Sequence, residues 1–131
     1  MKLESTKVSL EKSAQEVFNF LTNVENFEQL MPENINKFKL IDTDKFVFAL
    51  SGMPEIVLKK KSMVSPNTII LGAAGGKLDF SLTAKIESLS VTQSDVQLTF
   101  EGDFNAMMAM MIKAPISKFI ETLALNIPKK I

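Results

Sequence analysis

Leu78-Asp79-Phe80-Ser81-Leu82-Thr83-Ala84-Lys85-Ile86-Glu87 alternates apolar and polar residues without a break. A period of two sends successive side chains to opposite faces of an extended chain, so Leu78, Phe80, Leu82, Ala84 and Ile86 share one face. A polar turn is expected at Gln93-Ser94-Asp95, and the pattern then repeats. There Val96, Leu98, Phe100 and Phe104 fall on one side, with Gln97, Thr99, Glu101 and Asp103 on the other. Alternation of this kind describes a sheet that is dry on one face and wet on the other. The short connection makes the two strands an antiparallel hairpin. Glu101 and Asp103 therefore read as surface residues.

Upstream of this hairpin the period of two persists back to Phe38. A strand Phe46-Val47-Phe48-Ala49-Leu50 follows a turn at Asp42-Thr43-Asp44, and another, Ile56 to Val64, follows Met53-Pro54. Thr68 to Ala73 follows Ser65-Pro66-Asn67, and Gly75-Gly76 leads into the strand quoted above. Consecutive strands joined by short turns form a meander of hairpins. Gly75-Gly76-Lys77 lacks the spacing of a phosphate-binding loop and joins two strands instead of opening a helix, so it is not read as one.

The two ends of the chain differ from its middle. Residues 2–10 alternate weakly and read as an edge strand. Ser13-Ala14-Gln15-Glu16 has the form of a capping box, behind which Ala14, Val17, Phe18 and Leu21 make one apolar helical face ending near Thr22-Asn23. A second short helical piece, Glu25 to Leu30, stops before Met31-Pro32, because a residue preceding proline is pushed out of the helical region. At the far end Ile116, Phe119, Ile120, Leu123 and Ile127 form a helical stripe closed by Pro128 and Lys129-Lys130. Proline in a helix interior costs about 3 kcal/mol, so a kink or break is expected at Pro115, with Met107, Met108, Met110 and Met111 in a separate turn before it.

Composition limits what such a chain does. Its 131 residues suit one domain, residues 1–131, with a real core. Fifteen acidic residues balance fifteen basic ones, leaving no net field to recruit nucleic acid or an anionic membrane. Every basic residue is lysine, so the bidentate grip that arginine offers phosphate or carboxylate is missing. Histidine and cysteine are also absent, which removes the usual general base, the thiolate nucleophile and the usual soft metal ligands. Neither an export signal nor a bilayer-spanning run is legible, and a soluble cytoplasmic protein is expected.

The order of strand, two short helices, antiparallel strands and one long amphipathic helix resembles the START-like, or SRPBCC, superfamily of helix-grip proteins. The resemblance extends over nearly the whole chain. It rests on the opening strand, on Ser13-Ala14-Gln15-Glu16-Val17-Phe18-Asn19-Phe20-Leu21, on Leu30-Met31-Pro32 and on the final helix from Pro115. Within the superfamily the chain is most similar to the carbon monoxide dehydrogenase-associated and polyketide cyclase-like groups. The resemblance implies an α+β helix-grip fold, a curled antiparallel sheet of about six to seven strands around the C-terminal helix, with a cavity between them. A sheet with one dry face and one long helix to cover it leaves either a thin core or a hollow.

Candidate cavity-lining residues are Phe48, Leu50, Ile56, Leu58, Leu71, Phe80, Leu82, Phe100, Phe104, Met107, Met108, Met111 and Phe119. The methionines stand where helix-grip proteins usually have an entrance, and methionine adapts to varied apolar partners. They read either as a flap, touching ligand or membrane transiently, or as core filling. Lys59-Lys60-Lys61 sends either Lys60 or its two neighbours to the concave side, unless a bulge intervenes. Lys60 is thus a candidate polar contact for a ligand head group, against the alternative of a solvated edge. No carboxylate pair, metal spacing or nucleophile–base pair is legible, and neither cofactor nor metal is expected. The reading is a non-catalytic binder or carrier of a lipid-like, quinone-like or polyketide-like molecule. A cyclase- or dehydratase-type enzyme and a chaperone-activator-like interaction module stand as alternatives.

Overall fold

The computed structural model describes residues 1–33, 35–50, 55–74 and 80–131. The expected Gly75-Gly76-Lys77 turn, the Leu78-Asp79 start of its strand and Met53-Pro54 lie outside the described residues. The remaining elements follow in the order β1 (Lys2–Glu4), β2 (Val8–Leu10), α1 (Ala14–Thr22), a 3-10 turn (Val24–Asn26), α2 (Phe27–Leu30), β3 (Ile35–Asp42), β4 (Lys45–Leu50), β5 (Ile56–Val64), β6 (Thr68–Ala73), β7 (Phe80–Ser90), β8 (Gln93–Gly102) and α3 (Ala106–Lys130). Strands β3 to β8 form a consecutive antiparallel meander, and both β1 and β2 return to pair with β8. The result is an α+β fold, a curled antiparallel sheet with α3 and the two short helices on its dry face.

The register explains the dryness of that face. Leu71 stands opposite Leu82, Leu82 opposite Phe100, Ala84 opposite Leu98 and Ile86 opposite Val96, all buried. Their alternating partners Ser81, Thr83, Lys85 and Glu87 remain partly or fully exposed. Such cross-strand apolar pairs each contribute about 0.2–1 kcal/mol relative to alanine pairs.

The opening strand is two strands because its inward residues, Leu3 and Val8, are an odd number of positions apart. Between them one extra residue is accommodated: Glu4 faces Thr99, whereas Val8 faces Val96. Ser5 stays buried there, its amide donating to the Leu98 carbonyl (2.8 Å) and its hydroxyl accepting from the Leu98 amide (3.0 Å). The Thr6 amide donates instead to Glu121 Oε1 of α3, at 2.8 Å. An irregularity of the edge strand has thus become a fastening point for the long helix.

In α1 the capping box closes as expected: the Glu16 amide donates to Ser13 Oγ (3.1 Å) and the Ser13 amide to Glu16 Oε1 (3.3 Å). Its buried face is Ala14, Val17, Phe18 and Leu21. Met31 takes an extended conformation and ends α2 before Pro32. The last carbonyl of each short helix is then taken up from elsewhere. Asn126 of α3 donates to the Leu30 carbonyl at 2.9 Å, and Lys60 Nζ to the Thr22 carbonyl at 3.0 Å.

Three expectations are corrected. The last hairpin turns at Val91-Thr92, not at Gln93-Ser94-Asp95, which belong to β8. Ser94 is fully buried on the inner face and its hydroxyl donates to the Lys12 carbonyl at 2.9 Å. Polar residues at a strand end imitate a turn in sequence, yet a satisfied hydroxyl is stable inside. Phe104 lies beyond the end of β8, in the connection to α3. Finally, α3 runs unbroken through Pro115 and carries all four methionines in its first two turns. Ile112 and Ile116, buried on either side of Pro115, hold both segments against one core. Asn105 supplies the helix start, accepting from the Met108 amide at 2.8 Å. The bond that Pro115 cannot donate would have reached the carbonyl of exposed Met111, where solvent is at hand.

Candidate functional site

Strands β4, β5, β7 and β8 and the middle of α3 converge on one apolar chamber. Its walls are Phe48, Ile56, Leu58, Phe80, Leu82, Phe100, Ile116 and Phe119, every one a hydrocarbon side chain. Period two aims the strand residues inward, and the helical period brings Ile116 and Phe119 down to meet them.

Two runs of stacked rings flank the chamber. On one side Phe119 lies nearly parallel to Phe48, with centroids 4.8 Å apart, and Phe48 continues to Phe46, Phe38 and Phe27. On the other, Phe80 stacks on Phe100 at 5.3 Å and Phe100 on Phe104 at 6.1 Å. Contacts of this kind contribute about 0.5–1.5 kcal/mol per pair beyond area burial. The space left between them is about 10 Å³. That is room for a single water-sized sphere, and an apolar void of this kind stays dry. Of the thin core and the hollow, the described conformation is the thin core.

The candidate residues separate into groups. Phe48, Ile56, Leu58, Phe80, Leu82, Phe100 and Phe119 stand together around the chamber. Leu50 and Leu71 are buried in the same core but do not line it, and half-buried Phe104 sits behind Phe100. Met108 packs partly against the core, whereas Met107 and Met111 are 74% and 68% exposed on the far side of α3 and do not line the chamber. Expectation placed them inside because a separate turn was free to fold back; a continuous helix fixes their direction. Ile116 is the wall residue missing from the candidate set. Its place three residues before Phe119 on the helical stripe was the available signal.

Lys60 faces the concave side, while Lys59 and Lys61 are exposed, and a bulge between Lys60 and Ser62 follows. Its amine is directed away from the chamber, to the Thr22 carbonyl and to Asp44 Oδ1 at 3.2 Å. Lysine at a helix C-terminus complements the partial negative charge there. Glu121 is the one carboxyl among the described residues drawn clearly from its ordinary range. The Thr6 hydrogen bonds favour its ionised form and lower its pKa, against a smaller opposing effect of desolvation. Glu121 serves the edge strand, away from the chamber walls. A larger surface depression of about 370 Å³ is lined by Lys7, Lys85, Glu87, Asp95 and Gln97 of the wet face. It is open and polar, unlike the chamber.

Among solved structures, a START superfamily protein from Mycobacterium smegmatis matches with a TM-score of 0.72 at 13% identity, over 98% of this chain and 94% of that one. Truncated norcoclaurine synthase from Thalictrum flavum matches with a TM-score of 0.73 at 10% identity, over 98% and 91%. A conserved protein from Geobacillus kaustophilus matches with a TM-score of 0.60 at 15% identity, over 98% and 96%. No family model and no curated protein matches the sequence. At these identities the likeness is one of fold, and the fold is the START-like helix grip that the order of elements implied.

Proposed function

We propose that the chain binds a hydrophobic small molecule, of lipid, quinone or polyketide-like type, between the sheet and α3, and does not convert it chemically. The observation that supports this most is the all-hydrocarbon wall of the chamber. Ligand sites of small molecules are mostly apolar and of about 300–1,000 Å³. A chamber of about 10 Å³ must therefore open to accept one. The opening is a shift of population between a filled and an expanded state, and it lowers apparent affinity by the fraction of the expanded state. The inserted part of the ligand is unfunctionalised hydrocarbon, because no charged side chain among the described residues stands at the wall. Among the described residues no helix is long and apolar enough to cross a membrane. The carrier is proposed to work in the cytoplasm, with at most transient contact with a membrane.

A second reading, the chaperone-activator-like interaction module, is favoured by a specific observation: the chamber is filled. Native mass spectrometry of the purified protein, followed by organic extraction, separates the two. A co-purifying apolar molecule of one defined mass is the expected result and names the ligand class. Protein that is empty and ignores fatty acids, quinones and other apolar probes would reject the carrier in favour of the interaction module.

A further inference from the structure

The first two turns of α3 read Ala106-Met107-Met108-Ala109-Met110-Met111. Half of the eight methionines of the chain fall within these positions. Three of them, Met107, Met110 and Met111, are 74%, 82% and 68% exposed. Their i, i+3, i+4 spacing places them within an arc of about 100° on the helix surface. Neighbours at that spacing have Cβ atoms about 5–6 Å apart, and each methionine adds three further rotatable bonds. The three thioether sulfurs can therefore meet above one point of the surface. Ala106 and Ala109 carry no side chain that would intervene.

We propose that Met107, Met110 and Met111 form a thioether site for a soft monovalent cation, Cu(I) or its redox-inert analogue Ag(I). Thioethers are soft ligands that select Cu(I) over the harder divalent ions. A surface that merely docks an apolar partner is served equally by leucine, isoleucine or phenylalanine, which the chain uses freely elsewhere. Here sulfur stands at every large side chain of the two turns, and the chamber takes no part in holding the exposed three. The helix N-terminus is electropositive, but that effect fades within the first turn. Met110 and Met111 lie in the second turn, and exposed Asp103 precedes the Asn105 cap.

The test is an anaerobic titration of the full chain with Cu(I) presented by a chromophoric chelator, compared with a variant carrying Met107→Leu, Met110→Leu and Met111→Leu together. Leucine keeps the apolar surface and the helix propensity, and circular dichroism confirms that the fold is kept. The chain is expected to withdraw one equivalent of Cu(I), and the triple variant to bind at least tenfold more weakly. Addition of Ag(I) is expected to move the ε-methyl resonances of Met107, Met110 and Met111 while those of Met31 and Met63 stay in place. Equal uptake of Cu(I) by both proteins, or Ag(I) shifts spread over all methionines, would overturn the site. Neither result bears on the chamber, whose ligand is read by mass and not by metal.

Discussion

The two halves of α3 have nearly the same apolar content and opposite fates. From Ile116 onward, Ile116, Phe119, Ile120, Leu123, Ala124 and Ile127 are all buried against the sheet and α2. Before Pro115, only Ile112 is buried, while Met107, Met110 and Met111 face solvent. The C-terminal half is also stitched by polar contacts, Glu121 to Thr6 and Asn126 to Leu30. In the N-terminal half the one described side-chain bond is its own Asn105 cap. Apolar composition alone therefore does not make a core; phase along the helix and the presence of an opposing surface do.

The contrast is most exposed at Phe119. Phe119→Ala is expected to cost about 3–5 kcal/mol in urea unfolding, since it removes a stacked ring and leaves a cavity. It also enlarges the chamber, so benzene or a similar apolar probe should raise the melting temperature of this variant and not of the parent. A variant that loses stability but gains nothing from the probe would mean that the walls collapse inward. Leu123→Ala, farther along the same face, is expected to cost about 2–5 kcal/mol without creating a probe site. The matching change on the other half, Met111→Ala, should alter stability by less than about 0.5 kcal/mol. A loss at Met111 as large as that at Leu123 would break the distinction between the halves.

The smallest effect concerns Glu121. Its carboxyl pKa is lowered in the folded chain, chiefly by the Thr6 hydrogen bonds. A carboxyl of this kind adds stability above its unfolded pKa of about 4.3, and that stability is lost as pH falls through the lower folded value. The gap in melting temperature between the parent and Glu121→Gln should therefore be small at pH 7 and shrink below about pH 4. A gap that grows with acid would mean that another group fastens the bulge to the helix.

Much of this architecture is legible in the residues. The Ser13–Glu16 capping box, the stop at Met31-Pro32 and the strands Ile56–Val64 and Thr68–Ala73 follow from local rules of hydrogen bonding and backbone restriction. Polar stretches were less informative. Gln93-Ser94-Asp95 has the composition of a turn but is strand, because Ser94 finds the Lys12 carbonyl, a partner remote in the chain. Pro115 has the character of a helix breaker, and only the joint burial of Ile112 and Ile116 overrides it.

By itself the sequence determined the two periodicities, hence which side chains share a face, and the order of elements that makes a helix grip. The tertiary structure alone decided how full the grip is. Whether facing apolar surfaces leave a hollow depends on ring volumes and orientations summed across strands far apart in sequence, and here Phe48 against Phe119 and Phe80 against Phe100 close it. It decided, too, that Lys60 turns to the end of α1 and that three methionines turn to solvent. Direction in space is a property of packed neighbours, and those neighbours are assigned only when the chain has folded.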